Sequence, residues 1–169
     1  MQNDTTKQLS YGTYKHDQEI WCVVFDKKTI YHLSKISTEK DCNAILVKKF
    51  AHASLQQDNN TAKNIIHSLC TSQGTTRSVQ TNGTPFQKQV WEAVQIVPFG
   101  TTATYSDIAE KIGKPTAVRA VASAIARNNN ALAIPCHRIT RKNGDIGEYR
   151  WGKETKKKLI EAEQRQKKL

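Results

Sequence analysis

Residues 104–130, TYSDIAEKIGKPTAVRAVASAIARNNN, decide how the second half of this chain is built. Thr104, followed three residues on by Asp107, makes a capping box. It opens a short helix that runs to Ile112 and stops at Gly113. Pro115 starts a second helix, which ends near Asn128–Asn130. Two helices joined by a tight glycine-containing turn predict a helix-turn-helix. In the second helix Val118, Val121, Ala122 and Ile125 fall at i, i+3, i+4 and i+7, so they face the core. Arg119 lies off that stripe, beside the small residues Thr116, Ala120, Ser123 and Ala126. Small residues let a helix backbone approach another body closely, and one arginine standing among them suits a probe of DNA. The alternative is an ordinary Ala-rich helix with a solvated arginine.

Working outward, Thr84–Val97 is helical, with Phe86, Val90, Val94 and Val97 on one face, Trp91 beside them and Pro85 in the first turn. Pro98-Phe99-Gly100-Thr101 ends it. A last helix spans about Lys153–Lys167. Toward the N-terminus the pattern changes. Ile20–Phe25 is an apolar, β-branched and aromatic run, Asp26-Lys27-Lys28 a turn and Thr29–Leu33 a second strand, together a hairpin. Thr38–Ala53 reads as a helix, Gln56–Asn60 as a polar break, and Thr61–Leu69 as a short helix or strand. Thr71–Gly83 is rich in Thr, Ser, Gly and Asn and reads as a linker. The expected division is therefore residues 1–80, a small structural unit, and 84–169, a mostly helical one.

The chain has 169 residues, 37% of them hydrophobic, which suits a globular fold and argues against global disorder. No apolar run reaches the ~20 residues needed to cross a bilayer. Met1–Ser10 is polar and lacks the apolar stretch of a signal peptide, so an intracellular protein is expected, cytoplasmic if prokaryotic and nuclear if eukaryotic. Lys and Arg number 26 against 15 Asp and Glu, a net charge of +11 that favours polyanions. No basic amphipathic helix supports a membrane surface as the partner. The cysteines, Cys22, Cys42, Cys70 and Cys136, show no C-x-x-C spacing, and a disulfide framework is not expected. His16, Cys22, His32 and Cys42 form a weak metal set that nothing in their spacing demands; the expectation is no metal and no cofactor.

Ile134-Pro135-Cys136-His137-Arg138-Ile139 carries the strongest chemical signal. A cysteine between apolar residues is usually inert packing. Here Pro, His and Arg flank it, and a cationic environment is expected to lower its pKa and favour the thiolate, the nucleophilic form. Glu163 follows Leu159 by four and Ile160 by three, near the inner face of the last helix. A carboxylate there needs a partner, and His137 is the natural one: a Glu-His pair orients an imidazole to remove a thiol proton; the alternative is a helix-end glutamate that reaches solvent.

The segment Pro135-Cys136-His137-Arg138-Ile139 resembles the active-site signature of the O6-alkylguanine-DNA alkyltransferases, the methylated-DNA–protein-cysteine methyltransferases. The resemblance continues through Gly83-Thr84-Pro85-Phe86-Gln87, Val90-Trp91, Pro98-Phe99-Gly100, Thr104-Tyr105, Ile108-Ala109, Arg119-Ala120-Val121, Asn128, Gly144, Tyr149-Arg150-Trp151-Gly152 and Glu163. It implies an α+β fold: a small N-terminal ribonuclease-H-like antiparallel sheet with one or two helices, then a mostly helical C-terminal part with the helix-turn-helix. It implies direct, stoichiometric and irreversible transfer of an alkyl group from O6-alkylguanine in flipped-out DNA to Cys136, with O4-methylthymine left open as a second lesion. Under the resemblance, His137, a bridging water and Glu163 take the thiol proton. Asn128 holds the turn against the active-site loop, and Tyr105 helps guanine leave by donating a proton. Arg119 fills the space of the extruded nucleotide. Double-stranded DNA is met through the minor groove by a monomer, with contacts from Arg119, Tyr105, Ser106, Gln87, Lys114, Ala120, Ser123 and Lys142. Ile139, Tyr149, Arg150 and Trp151 form the base pocket.

Three departures from the family pattern stand out. Glu148 places a negative charge where relatives often have Gly or Asn. Asn129-Asn130-Ala131 lacks a proline that some relatives have, which suggests a looser loop. Trp151 stands where several relatives carry glycine, and an indole there is expected to narrow the pocket against bulky adducts, the alternative being that it packs inward and props the loop. Two other function classes compete: a non-catalytic sensor of alkylation damage that recruits repair factors, and a cysteine hydrolase.

Overall fold

The computed structural model describes residues 7–168. Most of the polar stretch read as lacking a leader, Met1–Thr6, lies outside the described residues. The strand β1, Gln8–His16, begins just after it and was not legible in the sequence. It turns through Asp17 and Gln18, both at positive φ, into β2, Glu19–Phe25. The predicted hairpin follows, from β2 to β3, Thr29–Ile36, with Asp26 accepting the backbone N–H groups of Lys28 and Thr29 at 2.7 Å.

The sheet has five strands in the order β4-β1-β2-β3-β5, where β4 is Ser54–Gln57 and β5 is Ser78–Val79. The central three are antiparallel, as expected, but both edge strands run parallel to their neighbours, so the sheet is mixed. Each edge strand returns after a helix, and parallel pairing needs such a crossover. The first helix, α1, covers Glu39–Lys49, capped by Thr38 and Asp41, and ends four residues before the predicted end. The chain then turns so that Ser54–Gln57 can pair with β1. The ambiguous segment at 61–69 is helical: α2, Asn59–Cys70, with Asp58 accepting from the Thr61 N–H.

The continuous apolar run of β2 reflects burial on both faces. Trp21, Val23 and Phe25 pack with Ile65, Ile66 and Leu69 of α2; Cys22 and Val24 pack with Cys42 and Leu46 of α1. Gly12 of β1 lies under α2, where an added Cβ would meet the Ala62 Cβ at 2.6 Å and the Asp58 carbonyl at 2.8 Å. Cys22 and Cys42 are joined by a disulfide with Cα atoms 5.9 Å apart, tying β2 to α1. This overturns the expectation of free thiols there, and neither sulfur is left for the metal set with His16 and His32.

In the second half, α3 covers Pro85–Gln95, α4 Tyr105–Lys111, α5 Val118–Ala126 and α6 Lys153–Lys167. The capping boxes at Thr84/Gln87 and Thr104/Asp107 both form. The helix expected from Pro115 starts at Val118 instead. The Ala117 N–H bonds the Lys114 carbonyl, so Pro115 and Thr116 are the centre of a reverse turn. Val90, Val94, Ile108, Val121 and Ile125 fill the core between α3, α4 and α5. Ala124, not Ala122, completes the buried stripe of α5. Trp91 donates from Nε1 to the Ala124 carbonyl at 2.9 Å, locking α3 to α5. No described helix is long and apolar enough to cross a membrane.

Candidate active site

After α5 the chain runs alongside β3, where Asn130 makes a parallel bridge to Leu33. Ala131 donates to the Leu33 carbonyl at 2.8 Å, Asn130 Nδ2 to the Gln80 carbonyl at 3.0 Å, and Ala131–Ala133 join the core under β3. The loop expected to be looser is therefore pinned. Leu132 sits at φ 62, a left-handed conformation uncommon for leucine, within a buried segment that over-determines it. A 3-10 turn, Cys136–Arg138, follows, then a two-residue strand, β7, Ile139–Thr140. It pairs in parallel with β6, Ala103–Thr104, which leads directly into Tyr105. This pairing sets the start of α4 beside Cys136.

Asn128, 1% exposed, organises the turn. Its Oδ1 accepts from the Asn130 N–H at 2.8 Å, and its Nδ2 faces the Ile134 carbonyl at 3.0 Å and Cys136 Sγ at 3.1 Å. Burial pushes the Cys136 thiol up to about 11, although the Asn128 hydrogen bond and the charges of Lys156 and Arg150 oppose it. The expected net lowering by cations is thus reversed: Cys136 is 4% exposed, and desolvation of the thiolate outweighs the nearby charge.

The predicted Glu-His pair forms. His137 Nε2 is 2.7 Å from Glu163 Oε1. The carboxylate also accepts from Arg138 Nε at 2.9 Å, Arg138 Nη2 at 3.0 Å and the Gly100 N–H at 3.0 Å. Gly100 has φ 71, and a Cβ there would press on Lys167 and the Glu163 carbonyl, so the close approach needs glycine. Arg138 Nη1 donates to the Val97 carbonyl at 2.7 Å. Burial pulls the Glu163 carboxyl upward, but His137 and Arg138 outweigh it and hold it at about 2. Burial depresses the His137 pKa despite Glu163. With an ionised acceptor at Nε2, the neutral ring carries its proton there. Nδ1 is left as a lone pair, buried and without a partner among the described residues.

Cys136 lines a pocket of about 420 Å³ with Tyr105, Val118, Arg119, Arg141, Glu148, Tyr149 and Arg150. Burial raises the Tyr105 pKa, and the buried Tyr149 hydroxyl has no hydrogen-bond partner among the described residues. Arg119, Ala120 and Ser123 are exposed on α5, Ser106 is half-buried in the first turn of α4, and Lys142 is exposed in the loop after β7. Lys114 Nζ lies 5.2 Å from the centre of the Phe86 ring. The Gln87 amide, predicted to meet DNA, accepts from the Thr84 N–H at 3.0 Å in the capping box.

Two predicted pocket residues lie elsewhere. Ile139 is fully buried in the helical core. Trp151 lines a neighbouring cavity and packs against both large cores, its ring 5.2 Å from that of Tyr149. The indole therefore backs the pocket wall. Trp151→Gly is expected to cost roughly 3 kcal/mol of stability, typical of truncating a packed tryptophan. Without that support behind Tyr149 it should not speed reaction with free O6-benzylguanine. Chemical denaturation and the benzylguanine rate check both, and a faster reaction in a folded variant would restore the narrowing role.

Sequence reading missed Lys156. It is 1% exposed, donates to the Glu148 carbonyl at 3.2 Å, and sits 6.0 Å from the Tyr105 ring centre. Burial lowers its pKa to about 8, against the raising influence of Cys136, Asp145 and Glu148. The signal was present: Lys156, Leu159, Ile160 and Glu163 repeat at i, i+3, i+4 and i+7 on α6.

Residues 85–165 match the family described as 6-O-methylguanine DNA methyltransferase, DNA binding domain. The bifunctional transcriptional activator/DNA repair enzyme Ada of Escherichia coli is 52% identical over 81 residues, which are 48% of this chain and 23% of Ada. The inducible methylated-DNA–protein-cysteine methyltransferase of Bacillus subtilis is 48% identical over 87 residues, 52% of this chain and 49% of that protein. The chain thus spans about half or less of the length of these curated relatives. In fold, the crystal structure of Mycobacterium tuberculosis OGT in complex with DNA superposes with a TM-score of 0.77 at 24% identity, over 93% of this chain and 94% of that one. The match over 85–165 contains Asn128, Cys136, His137 and Glu163 and makes this segment similar to the DNA binding domain of 6-O-methylguanine DNA methyltransferase, while the likeness to the solved structure shows a shared fold over nearly the whole chain.

Proposed function

We propose that the protein repairs DNA by moving an alkyl group from O6-alkylguanine to Cys136, once per molecule. One observation carries the reading: Cys136 lines a base-sized pocket with its Sγ held by Asn128, and the histidine after it is fixed by a buried, ionised carboxylate. His137 Nδ1 takes the thiol proton, directly or through a bridging water. Sγ then attacks the alkyl carbon, the carbon–O6 bond breaks, and the electron pair leaves with guanine. Tyr105 supplies a proton to the departing base, which makes it a better leaving group; Lys156, close to its ring, stabilises the phenolate left behind. The buried Tyr149 hydroxyl is free to bond the base. The product is a thioether that no residue here reverses, and the chemistry needs no cofactor or metal.

The O6 atom lies inside the duplex, so the base must leave the stack. In this reading α4, its turn and α5 are a helix-turn-helix that meets the minor groove, with exposed Arg119 filling the vacated space and Ser106, Lys114, Ala120, Ser123 and Lys142 against the backbone. The chain acts as a monomer, residues 1–80 form a ribonuclease-H-like supporting unit, and 84–169 carry binding and chemistry. The test is intact mass after incubation with an O6-methylguanine duplex. One methyl on Cys136, followed by no further repair, is the expected result. Binding without a mass change would indicate a sensor, and repeated turnover a hydrolase.

Arg119→Ala is expected to slow repair of duplex DNA roughly 10–100-fold, the equivalent of a few kcal/mol of extrusion cost. Reaction with free O6-methylguanine should barely change, since nothing needs extruding. Single-turnover rates on the two substrates decide it, and equal losses would contradict the role. Binding should also weaken with salt, with a slope of roughly −0.9 per phosphate neutralised.

A further inference from the structure

A second cavity, of about 310 Å³, lies between β3, α1 and the loop carrying Arg150. His32 and Ser34 line it from β3, Lys48 and Lys49 from α1, and Arg150 and Trp151 from the loop. No carboxylate lines it among the described residues. Lys35, also on its wall, is neutralised by Glu19 at 2.6 Å. Lys48, Lys49 and Arg150 have no ion-pair partner among the described residues.

The polar groups beneath these cations are ordered. The Lys49 ammonium, which can only donate, lies 3.4 Å from His32 Nδ1. Nε2–H must then donate to Ser34 Oγ, 2.9 Å away. Burial, with Lys49 and Arg150, holds His32 near 3, so the ring is neutral and serves to position Lys49. Burial and the charges of Arg150 and Lys48 pull the Lys49 pKa down. Three cations thus converge on one concave space with a preformed polar floor and no counter-charge, an arrangement that an anion relieves.

We propose that this cavity is a binding site for a phosphate-class anion, held by Lys48, Lys49 and Arg150. Arginine offers a planar fork to two oxygens and the lysines offer point charges, which together suit a multiply charged oxyanion better than a carboxylate. The phosphate can belong to a free phosphorylated small molecule or to a DNA backbone. Arg150 also lines the Cys136 pocket and donates to the Asn128 carbonyl at 3.3 Å, so an anion here bears on the wall of that pocket. The proposal stands apart from the alkyl-transfer reading, because its test measures anion binding alone.

The full chain is titrated calorimetrically with inorganic phosphate and with pyrophosphate, ionic strength being held constant with sodium chloride. Saturable one-site binding is expected. Lys48→Gln/Lys49→Gln should weaken it ~10-fold or more, through loss of charge-assisted contacts, while Lys40→Gln on the same helix should leave it unchanged. Exposed Lys48→Gln alone should weaken it several-fold, covering the case in which the double variant fails to fold. Binding that vanishes at constant ionic strength, or that is equal in the native protein and a folded Lys48 or Lys49 variant, overturns the proposal. Repeating the titration with a saturating undamaged duplex separates the sources. Lost phosphate binding marks a DNA backbone phosphate as the occupant, and undiminished binding marks a free phosphorylated ligand.

Discussion

Cys136→Ala is expected to abolish methyl uptake completely while duplex binding persists. None of the other cysteines can take over. Cys22 and Cys42 are joined to each other, and Cys70 is buried at the end of α2, outside the pocket that Cys136 lines. The substitution removes one sulfur from the helical core and costs about 1 kcal/mol, too little to unfold the chain. The loss of activity therefore reads the chemistry and not the fold. Intact mass after incubation with methylated duplex, alongside a binding titration, checks both halves. Methyl transfer at anything near the native rate would show that the acceptor lies elsewhere.

Glu163→Ala should have the largest effect on stability. The carboxylate, its side chain 6% exposed, binds His137, Arg138 and the Gly100 N–H at once. Removing it strands a buried guanidinium, which costs about 3–5 kcal/mol, or roughly 10 °C in Tm for a chain of this size. It also frees the His137 ring, so alkyl transfer should fall even where the variant stays folded. Glu163→Gln keeps an acceptor for Gly100 and should lie between the two. The sign with pH follows from the depressed pKa. Held at about 2 against an ordinary value of 4.5, Glu163 contributes stability that is fully present above 4.5 and is lost as pH falls toward 2. Acid unfolding of the native protein should show that loss, and Glu163→Gln should not. Identical acid profiles for the two would mean that the pair contributes nothing.

The readings that succeeded rest on local rules. The capping boxes at Thr84 and Thr104 form because they involve side chains three residues apart on one helix turn. The bounds of α6, Lys153–Lys167, match the expectation. The Glu163–His137 pair was reached by a similar argument, since an inward-facing carboxylate must find a donor. Failures came where distant segments compete. Gly12 and its polar neighbours make β1 look unlike a strand, and it is the start of α2, Ala62 and the Asp58 carbonyl, pressing from above that explains the glycine. The helix expected to run to Ala53 stops at Lys49 because Ser54–Gln57 pairs with β1, a partner more than forty residues away in the chain.

The sequence by itself determined the candidate nucleophile Cys136, the pairing of His137 with Glu163, and the helices around them, because residue type and helical spacing are properties of the chain alone. Only the tertiary structure decided the electrostatics and the walls. Burial sets the Cys136 thiol near 11 where flanking cations suggested a lowering, and it brings Lys156 beside Tyr105. Packing turns Trp151 away from the pocket and lets β2 and α1 meet closely enough to join Cys22 to Cys42. Desolvation and contact depend on what lies around a group in space, and that is fixed only when segments far apart in the chain share one core.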